Sequence, residues 1–502
     1  MRVEGIPHAR LGNKGIDGDM IRGPLTATDS LPWPGRLVRA STGAPREWRA
    51  ASLGVAACLT VVLHGSVGAA QYLLASRGGL AVGTALYYTA IAALVVCYAL
   101  IIRLVAEVPS RREWIVIAGV PLAIQIGWLI VHPILSTDVY SYLVDAALAY
   151  AGLSPYEHAS REVAGTDLGR HLVEYGWRPK AVVPPYGPVW INVVSVVGPF
   201  VGNLPVAVRL IKLIAIAAAA LAAFIIFRVA PAGARTRAFA AFWWNPVVII
   251  ECGGEGHNDA VMVAAVLLAL WCLRRHALNA AALALTAAAL TKWVPLFFGP
   301  ACLAYAWRNR LLTRRGVLSG AAIAIAVTCM AYWRVWAGAH TFGGIGTIGG
   351  PRFVASLTGS LVRPLANHHE ILFLLRASAA SVFVVATIYM TARTRTYADV
   401  VRACTVIALT FVLLAAPLYW PWYVVMPIAL LAVGGDVQTI IVLTMTSRMV
   451  APLNLLRVHG AFSTSTEVWL TTVVALWLPL AWLAWREVDR RSQATDAEYL
   501  LD

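Results

Sequence analysis

The chain has 502 residues, of which 59% are hydrophobic and only 13% are charged, and its formal net charge is +15. Globular soluble domains carry about 25% charged residues, so this composition excludes an ordinary water-soluble protein. A nucleic-acid partner would need a basic face or a basic stripe interleaved with aromatic residues. The arginines here stand between hydrophobic segments instead, which is typical of membrane topology. We therefore predict an all-α polytopic integral membrane protein that binds no nucleic acid.

The chain begins with residues 1–47, which are rich in Gly, Pro, Arg and Asp and lack apolar periodicity. This composition predicts a disordered tail. Hydrophobic segments follow at 50–75, 81–105 and 114–131, and each is long enough to cross a hydrocarbon core of about 30 Å. Arginines precede the first segment and follow the second. The positive-inside rule therefore places the tail in the cytoplasm and residues 132–206 outside.

Residues 186–202 are apolar enough to span the membrane, but a crossing there would place Arg228, Arg235 and Arg237 outside, against the rule. We interpret this segment as a helix lying in the outer interface and 207–229 as the next crossing. The later predicted crossings are 238–251, 259–273, 277–291, 293–307, 316–337, 370–391, 399–417, 422–435, 436–453 and 467–485. The prediction is about fourteen transmembrane helices in all.

Four of the crossings, between residues 238 and 307, contain only about fifteen residues each and are too short to span alone. Their outer ends carry the polar sequences CGGEGHND at 252–259 and TKWVP at 291–295. Short or broken helices at membrane depth are tolerated where the backbone lines an enclosed, wetted cavity. The pattern predicts one cavity that opens to the outer face.

Asp138 is a candidate general base at the mouth of this cavity. Tyr142 and Asp145 follow it at spacings of four and three residues within a predicted helix at 139–151. A carboxylate here can take a proton from a hydroxyl group held about 2.6 to 3.2 Å away. The alternative is that Asp138 is only the N-cap of the helix, because Thr-Asp before an apolar periodic segment is a common start signal. The spacing leaves both interpretations open.

A second polar cluster follows the crossing at 238–251 and contains Glu251, Glu255, His257, Asn258 and Asp259. Its glycines permit a turn and a close ligand approach, and its side chains can orient hydroxyl groups or a phosphate. A divalent cation is possible, but one histidine with carboxylates is not diagnostic, so no metal and no cofactor are predicted. Capping of the helix at 260–273 by Asn258 or Asp259 would be a purely structural explanation. This density of polar groups exceeds what a cap needs and favours a functional site.

Cations near the outer face are candidates for anion binding. Lys292 lies between two short crossings, and Arg376 lies inside the crossing that starts at 370. An arginine in the membrane costs at least about 2.5 kcal/mol on insertion scales, so we expect Arg376 to face the cavity and to bind an anion such as a phosphate. The alternative for Arg376 is an internal ion pair. Arg209 and Lys212 are expected to snorkel towards the headgroups.

Aromatic residues are concentrated in two places on the predicted outer side. The first is PLYWPWY at 417–423, and the second is the pair Trp243 and Trp244. Such residues form interfacial belts in membrane proteins, and they also stack on sugar rings. The sequence leaves these two interpretations open.

The motifs together resemble those of a known family. They are STDVYSY at 136–142, GLSPYEH at 152–158, PPYGPVW at 184–190, WWNPVVIIE at 243–251, GHND at 256–259, TKWVP at 291–295 and YWPWY at 419–423. In this order they are similar to the bacterial polyprenol-phosphate-mannose-dependent alpha-1,6-mannosyltransferases of the GT-C fold. The resemblance extends from about residue 50 to residue 485. It implies that the helices at 139–151 and 186–202 are juxtamembrane helices of the first large outer loop.

The resemblance implies an inverting transferase that moves mannose from a polyprenyl-phosphate donor to a glycolipid or mannan acceptor, such as lipomannan, in the bilayer. Asp138 would be the catalytic base, and Lys292 or Arg376 would stabilise the departing polyprenyl phosphate. The implied active site faces the extracytoplasmic side of the plasma membrane. The implied substrate-binding residues are Tyr140, Tyr142, Asp145, Tyr156, Tyr186, Glu255, His257, Asn258, Asp259, Lys292, Arg376, Trp420 and Tyr423.

The implied organisation is the cytoplasmic tail at 1–47, a GT-C-like catalytic membrane module at 48–310 and C-terminal transmembrane helices at 311–502. Two features depart from the family pattern: Glu255 stands where a small apolar residue is expected, and 343–360 has no substrate signature. A transferase for another polyprenyl-phosphate sugar, such as arabinofuranose, fits the same residues. Two further classes are a transporter or flippase for a lipid-linked glycan and a non-catalytic scaffold. The polar clusters lie on one side of the predicted membrane and not at its midplane, which favours the transferase.

Overall fold

The computed structural model describes residues 46–179, 182–344, 369–416 and 418–499. The described residues form helices and connecting segments, with no β-strand among them. The predicted all-α class is therefore confirmed. The tail predicted at 1–47 lies outside the described residues except for its last two positions. Most of the segment 343–360 also lies outside them.

The helices follow one another along the chain with short connections. Those of the first part are α1 (Arg46–Ala75), α2 (Leu80–Leu104), α3 (Arg111–Gly127), α4 (Asp138–Tyr150), α5 (Ser160–Val163), α6 (Asp167–Glu174), α7 (Pro188–Ser195), α8 (Leu204–Val229), α9 (Arg235–Trp243), α10 (Pro246–Val248), α11 (Asp259–Arg274) and α12 (Leu278–Ala289). Those of the second part are α13 (Gly299–Arg308), α14 (Arg314–Tyr332), α15 (His369–Arg393), α16 (Tyr397–Thr410), α17 (Val425–Gly434), α18 (Val437–Val450), α19 (Leu453–Val458), α20 (Thr464–Thr472) and α21 (Leu478–Tyr499). Short 3₁₀-helical turns lie at Trp128–Ile130, Val294–Phe298 and Pro421–Val424. Short π-helical turns lie at Ile249–Gly254, Phe411–Ala415 and Val473–Trp477.

Nine of the described helical segments are long and apolar enough to cross a membrane. They are Arg46–Ala75, Leu80–Leu104, Arg111–Ile130, Leu204–Val229, Arg314–Tyr332, Phe373–Arg393, Tyr397–Ala415, Val437–Val458 and Thr464–Asp489. The chain is thus a multi-pass membrane protein. The remaining predicted crossings fall on the shorter helices α9 to α13 and α17, so the total of about fourteen stays a prediction.

Short helices fill the long connection between α3 and α8. The segment predicted to lie in the interface forms α7, whose eight residues extend only about 12 Å at 1.5 Å per residue and cannot cross the membrane. Pro188 stands in its first turn, where the fixed backbone angle of proline favours helix initiation. α7 packs against α4 through Trp190, Val194 and Leu143, all of them buried. Helices therefore form in both segments, and their juxtamembrane position stays a prediction.

The long helices differ in how much of their surface the protein covers. In the most apolar part of Val437–Val458, 72% of the residues are buried, whereas the corresponding shares for Arg314–Tyr332 and Phe373–Arg393 are 6% and 11%. The first therefore lies in the centre of the bundle, and the other two expose apolar side chains that suit a lipid environment. One hydrophobic core runs from Leu53 to Leu476 through both predicted modules. The division at residue 310 stays a prediction.

Candidate active site

A cavity of about 300 Å³ lies where the connection between α3 and α8 meets the short membrane helices. This volume is at the lower end of the range for small-molecule sites, about 300 to 1,000 Å³. Half of the predicted site residues line it, namely Asp138, Asp145, Tyr186, Asp259, Lys292, Trp420 and Tyr423. These residues are distant in sequence, so folding alone brings them to one place.

Asp138 begins α4 and lines the cavity. Its Oδ2 accepts a hydrogen bond from the Tyr186 hydroxyl at 3.0 Å, and its backbone N–H donates to Ser136 Oγ at 3.2 Å. The N-cap residue is Thr137, and its side chain makes no capping hydrogen bond. The alternative that Asp138 is the N-cap is therefore wrong. The phenol of Tyr186 contributes to the orientation of this carboxylate.

Tyr186 is held by a layer of buried aromatic residues. Its ring packs edge-on against Tyr142 with 5.1 Å between centroids, and Tyr142 packs against Trp190 at 4.9 Å. Its carbonyl accepts a hydrogen bond from the Tyr156 hydroxyl at 2.8 Å. Burial, followed by the charge of Asp138, raises the pKa of Tyr186 well above its ordinary value, so the phenol stays protonated and donates. Tyr142 and Tyr156 are thus supports behind the cavity wall.

The loop that carries Tyr186 is docked on the turn that carries Lys292. The backbone N–H of Gly187 donates to the carbonyl of Thr291 at 3.0 Å. A Cβ atom at Gly187 would lie 2.1 Å from the carbonyl oxygen of Leu290, so this approach requires glycine. The motifs PPYGPVW and TKWVP are thereby joined by backbone contacts.

Asp259 and Lys292 form an ion pair in the cavity wall, with 2.6 Å between Oδ2 and Nζ. The Lys292 side chain keeps 15% of its surface exposed. Its Nζ also lies 5.9 Å from the ring centroid of Tyr186 and 5.6 Å from that of Tyr423. A cation so placed can bind a phosphate that enters the cavity, because charge-assisted hydrogen bonds are strong away from bulk water.

Two stacked indoles form an aromatic wall of the cavity. The rings of Trp420 and Trp422 are 7° from parallel with 4.9 Å between centroids, and both line the cavity. The His257 ring stacks on Trp422 at 3.9 Å. A flat apolar face of this kind can bind the apolar face of a sugar ring. For this aromatic segment the geometry favours sugar stacking over an interfacial belt.

The other aromatic pair has a different role. Trp243 and Trp244 are 3% and 1% exposed. Their indole N–H groups donate to the carbonyls of Ala118 at 3.0 Å and Ile117 at 2.8 Å. They join α9 to α3 in the protein interior. Neither an interfacial belt nor a sugar-stacking role applies to this pair, because a buried tryptophan instead needs an internal partner for its N–H.

A sealed ion pair lies behind the aromatic wall. Glu251 is paired with Arg448, and Glu251 Oε2 lies 2.8 Å from His257 Nδ1. Arg448 is fully buried in α18. Sequence reasoning did not identify Arg448 as a site residue. The available signal is its place inside the predicted crossing 436–453, since an arginine at that depth requires an anion.

Of the remaining members of the polar cluster, Glu255 supports the backbone around the site and Asn258 does not. Glu255 accepts hydrogen bonds from the N–H groups of Ser136 at 3.1 Å and Leu135 at 3.4 Å. Asn258 is the N-cap of α11 without a side-chain capping bond, and within the described residues its amide group has no hydrogen-bond partner. Capping by Asn258 therefore does not explain the cluster. Glu255, Asn258 and Tyr140 are all buried and do not line the described cavity.

Three of the predicted cations lie away from the cavity. Lys212 is fully buried and donates to the carbonyls of Trp128 at 3.0 Å and Val131 at 2.6 Å, so the prediction that it snorkels is wrong. The reason is that carbonyls at the end of a helix lack helical partners and accept its ammonium group. Arg209 is exposed, as snorkelling requires. Arg376 is half-buried on α15 and is not among the described residues that line the cavity, so its expected contact with an anion stays a prediction.

The described residues contain no group of three or more His, Cys, Asp and Glu side chains that converge to hold a metal ion. His257 is engaged with Glu251, and Asp259 with Lys292. His257 and Asp259 therefore belong to two different pairs and do not converge on one point. The expectation of no cofactor stays a prediction.

Comparison with known proteins gives the family. A family model described as alpha-(1->6)-mannopyranosyltransferase, N-terminal domain, matches residues 48–309, slightly more than half of the chain. Alpha-(1->6)-mannopyranosyltransferase A of Corynebacterium glutamicum is 31% identical over 152 residues, which are 30% of this chain and 30% of the relative. The protein of that name from Mycobacterium tuberculosis is 30% identical over 220 residues, 43% of this chain and 42% of the relative. The matched regions thus span less than half the length of either relative. The match to the family model confirms the resemblance carried by the motifs: the chain belongs to the alpha-(1->6)-mannopyranosyltransferase family.

Proposed function

We propose that the protein is a mannosyltransferase that moves mannose from a polyprenyl-phosphate donor to a hydroxyl group of a mannan or glycolipid, forming alpha-1,6 links with inversion. The observation that carries the proposal is the cavity shared by Asp138, which is bound by Tyr186, and the Asp259–Lys292 pair. A base and a cation in one cavity are what attack by a hydroxyl on a phosphate-linked sugar requires.

Asp138 is the general base of the proposed reaction. One carboxylate oxygen takes the proton of the acceptor hydroxyl, while the oxygen of that hydroxyl forms a bond to the anomeric carbon. Tyr186 donates to Oδ2 of Asp138 and thereby orients the carboxylate. With a beta-linked donor, attack from the face opposite the leaving group gives an alpha product.

The leaving group of the proposed reaction is polyprenyl phosphate. Its bond to the anomeric carbon breaks as the new glycosidic bond forms, and the electron pair stays on the phosphate oxygen. Lys292 stabilises this charge because its ammonium is exposed to the cavity and is held, among the described residues, by the single carboxylate of Asp259. A phosphate is a fair leaving group, so no general acid is needed.

The extracytoplasmic side of the plasma membrane is the proposed location of the cavity. Arg103 lies in the last turn of α2, and Arg111 and Arg112 begin α3. The positive-inside rule assigns such a cluster to the cytoplasm. The cavity lies beyond the opposite end of α3, where α4 begins. The donor carrier and a growing envelope glycan are both accessible from that side.

The test is a donor panel with the purified protein in proteoliposomes. Polyprenyl-phosphate mannose and polyprenyl-phosphate arabinofuranose are supplied in turn with an alpha-1,6-mannan oligosaccharide, with and without a chelator. We expect incorporation from the mannose donor alone, an alpha-1,6 linkage by NMR and no loss of rate with chelator. Incorporation of arabinose would replace the donor assignment. Leaflet exchange of a lipid-linked glycan without a glycosidic product would instead establish a transporter.

A further inference from the structure

A continuous chain of buried contacts joins α18 to the first turn of α4. Arg448 is paired with Glu251, and Glu251 Oε2 lies 2.8 Å from His257 Nδ1. His257 Nε2 lies 3.2 Å from Ser136 Oγ, and Ser136 Oγ accepts the backbone N–H of Asp138 at 3.2 Å. The chain of contacts therefore ends on the residue proposed as the base.

The contacts that lead from Glu251 to Asp138 fit a His257 ring that carries its proton on Nδ1. With the proton on Nδ1, the His257 ring faces the Glu251 carboxylate across a contact of 2.8 Å, and its Nε2 accepts from the Ser136 hydroxyl. The same Ser136 oxygen is then free to accept from the Asp138 N–H. The contact with Glu251 and the hydrogen bond with Ser136 together give the His257 ring a defined orientation.

His257 also supports the aromatic wall. Its ring stacks on Trp422 with 3.9 Å between centroids and 20° between planes, and Trp422 stacks on Trp420. Asp138, Trp420 and Trp422 line the cavity, whereas His257 does not. One buried ring thus contacts two parts of the cavity wall that come from distant parts of the chain.

Burial of the Arg448–Glu251 pair, at the inner end of this chain of contacts, costs free energy. Arg448 is fully buried and Glu251 is 2% exposed, and removing two such charges from water carries a large desolvation cost. Apolar residues of similar size often stabilise a protein as well as a buried pair does. A pair that fixes an attached histidine has a role that apolar residues would not supply.

We propose that His257, anchored by Glu251 and Arg448, is a positioning residue that holds the Asp138 turn and the Trp422 ring in one relative geometry. Its effect on turnover rests on the proposed function, while its effect on backbone order does not. The contacts of His257 orient the Asp138 turn and the Trp422 ring and do not themselves bind the donor. Their loss is therefore expected to slow the chemical step more than it weakens donor binding.

Ser136→Ala tests the proposal without disturbing the buried charges. The substitution removes the Ser136 hydroxyl that links His257 to the backbone of Asp138. Thr137→Ala is the matched control, because the Thr137 side chain makes no capping bond. We expect kcat for mannosyl transfer to fall about 10- to 100-fold in Ser136→Ala with donor KM nearly unchanged, and both to stay near wild type in Thr137→Ala. Equal kcat values for the two variants would overturn the proposal.

Hydrogen exchange supplies a readout that does not depend on activity. In nanodiscs, Ser136→Ala and the charge-neutral double variant Glu251→Gln/Arg448→Met are expected to raise amide exchange in residues 134–143, with peptides from α14 unchanged. Unchanged exchange at 134–143 in both variants would refute the positioning role. If the wild-type protein transfers no sugar, the proposed function fails, and the exchange result still decides this inference.

Discussion

The two ion pairs that flank the polar cluster differ in access. The side chains of Arg448 and Glu251 are 0% and 3% exposed and form a sealed pair. The side chains of Lys292 and Asp259 are 15% and 4% exposed, and both residues line the cavity. A ligand can exchange with the second pair and cannot reach the first. The same composition of one carboxylate and one cation therefore suits structural support in one place and, in the proposed reaction, ligand binding in the other.

The backbone between Glu251 and Asp259 explains how one segment serves both pairs. Ile249–Gly254 is a wide helical turn, and Gly256 follows with a φ of 72°, a left-handed conformation that favours glycine. A Cβ at Gly256 would also lie 3.3 Å from Lys212 Cγ. The chain reverses there, so Glu251 is left in the core and Asp259 opens α11 at the cavity.

The largest expected effect comes from breaking the sealed pair. Glu251→Gln leaves the buried Arg448 without its counter-charge, and removing one partner of a buried pair costs about 3 to 5 kcal/mol of stability. We expect a marked fall in the melting temperature of the detergent-solubilised protein, measured by tryptophan fluorescence.

The double variant Glu251→Gln/Arg448→Met is the control for that substitution. It removes both charges, so most of the lost stability should return while mannosyl transfer stays slow. A melting temperature for Glu251→Gln equal to that of the wild type would show that the pair is not needed for the fold.

The next largest effect is expected on breaking the Asp259–Lys292 pair in the cavity wall. Lys292→Met removes the charge that stabilises the leaving phosphate, which corresponds to about 100-fold in kcat or about 2.7 kcal/mol. Its melting temperature should fall less than that of Glu251→Gln, because Asp259 can bind water in the cavity. A stability loss as large as that of Glu251→Gln, with normal kcat, would invert the comparison between the pairs.

Tyr186→Phe tests the hydrogen bond that orients Asp138 in the cavity wall. It removes the hydrogen bond to Asp138, and such a bond to a charged group contributes about 1.5 kcal/mol, or about tenfold in kcat. Because the pKa of Tyr186 is raised well above its ordinary value, the phenol stays protonated on raising the pH to 9. The ratio of wild-type to variant kcat should therefore be constant from pH 6 to pH 9. A ratio that falls to one at the alkaline end would contradict this assignment.

The smallest effect is expected at the aromatic wall. Trp420→Ala removes one stacking face, a loss of about 1 kcal/mol, and acceptor KM should rise about fivefold with donor KM unchanged. Trp307→Ala is the control, because Trp307 is 73% exposed on α13 and does not line the described cavity. Equal acceptor KM values in the two variants would show that Trp420 does not stack on the acceptor sugar.

The sequence alone predicts the all-α class, because hydropathy follows local rules. It also predicts that Asp138, Asp259 and Lys292 lie on one side of the membrane, because each stands at the outer end of a predicted crossing. It does not predict contacts that depend on packing between distant helices. Arg448 finds Glu251 across 197 residues of sequence separation. Lys212 matches the pattern of a snorkelling residue, and only the end of α3 supplies the carbonyls that bury it.

The most direct test of the central claim is turnover in Asp138→Asn. The amide preserves the shape of the side chain but cannot act as the base, so we expect kcat for mannosyl transfer to fall about 100- to 10,000-fold with donor binding and melting temperature retained. The matched control is Asp167→Asn, at a carboxylate that is 96% exposed on α6. A near-normal kcat in Asp138→Asn would contradict the account.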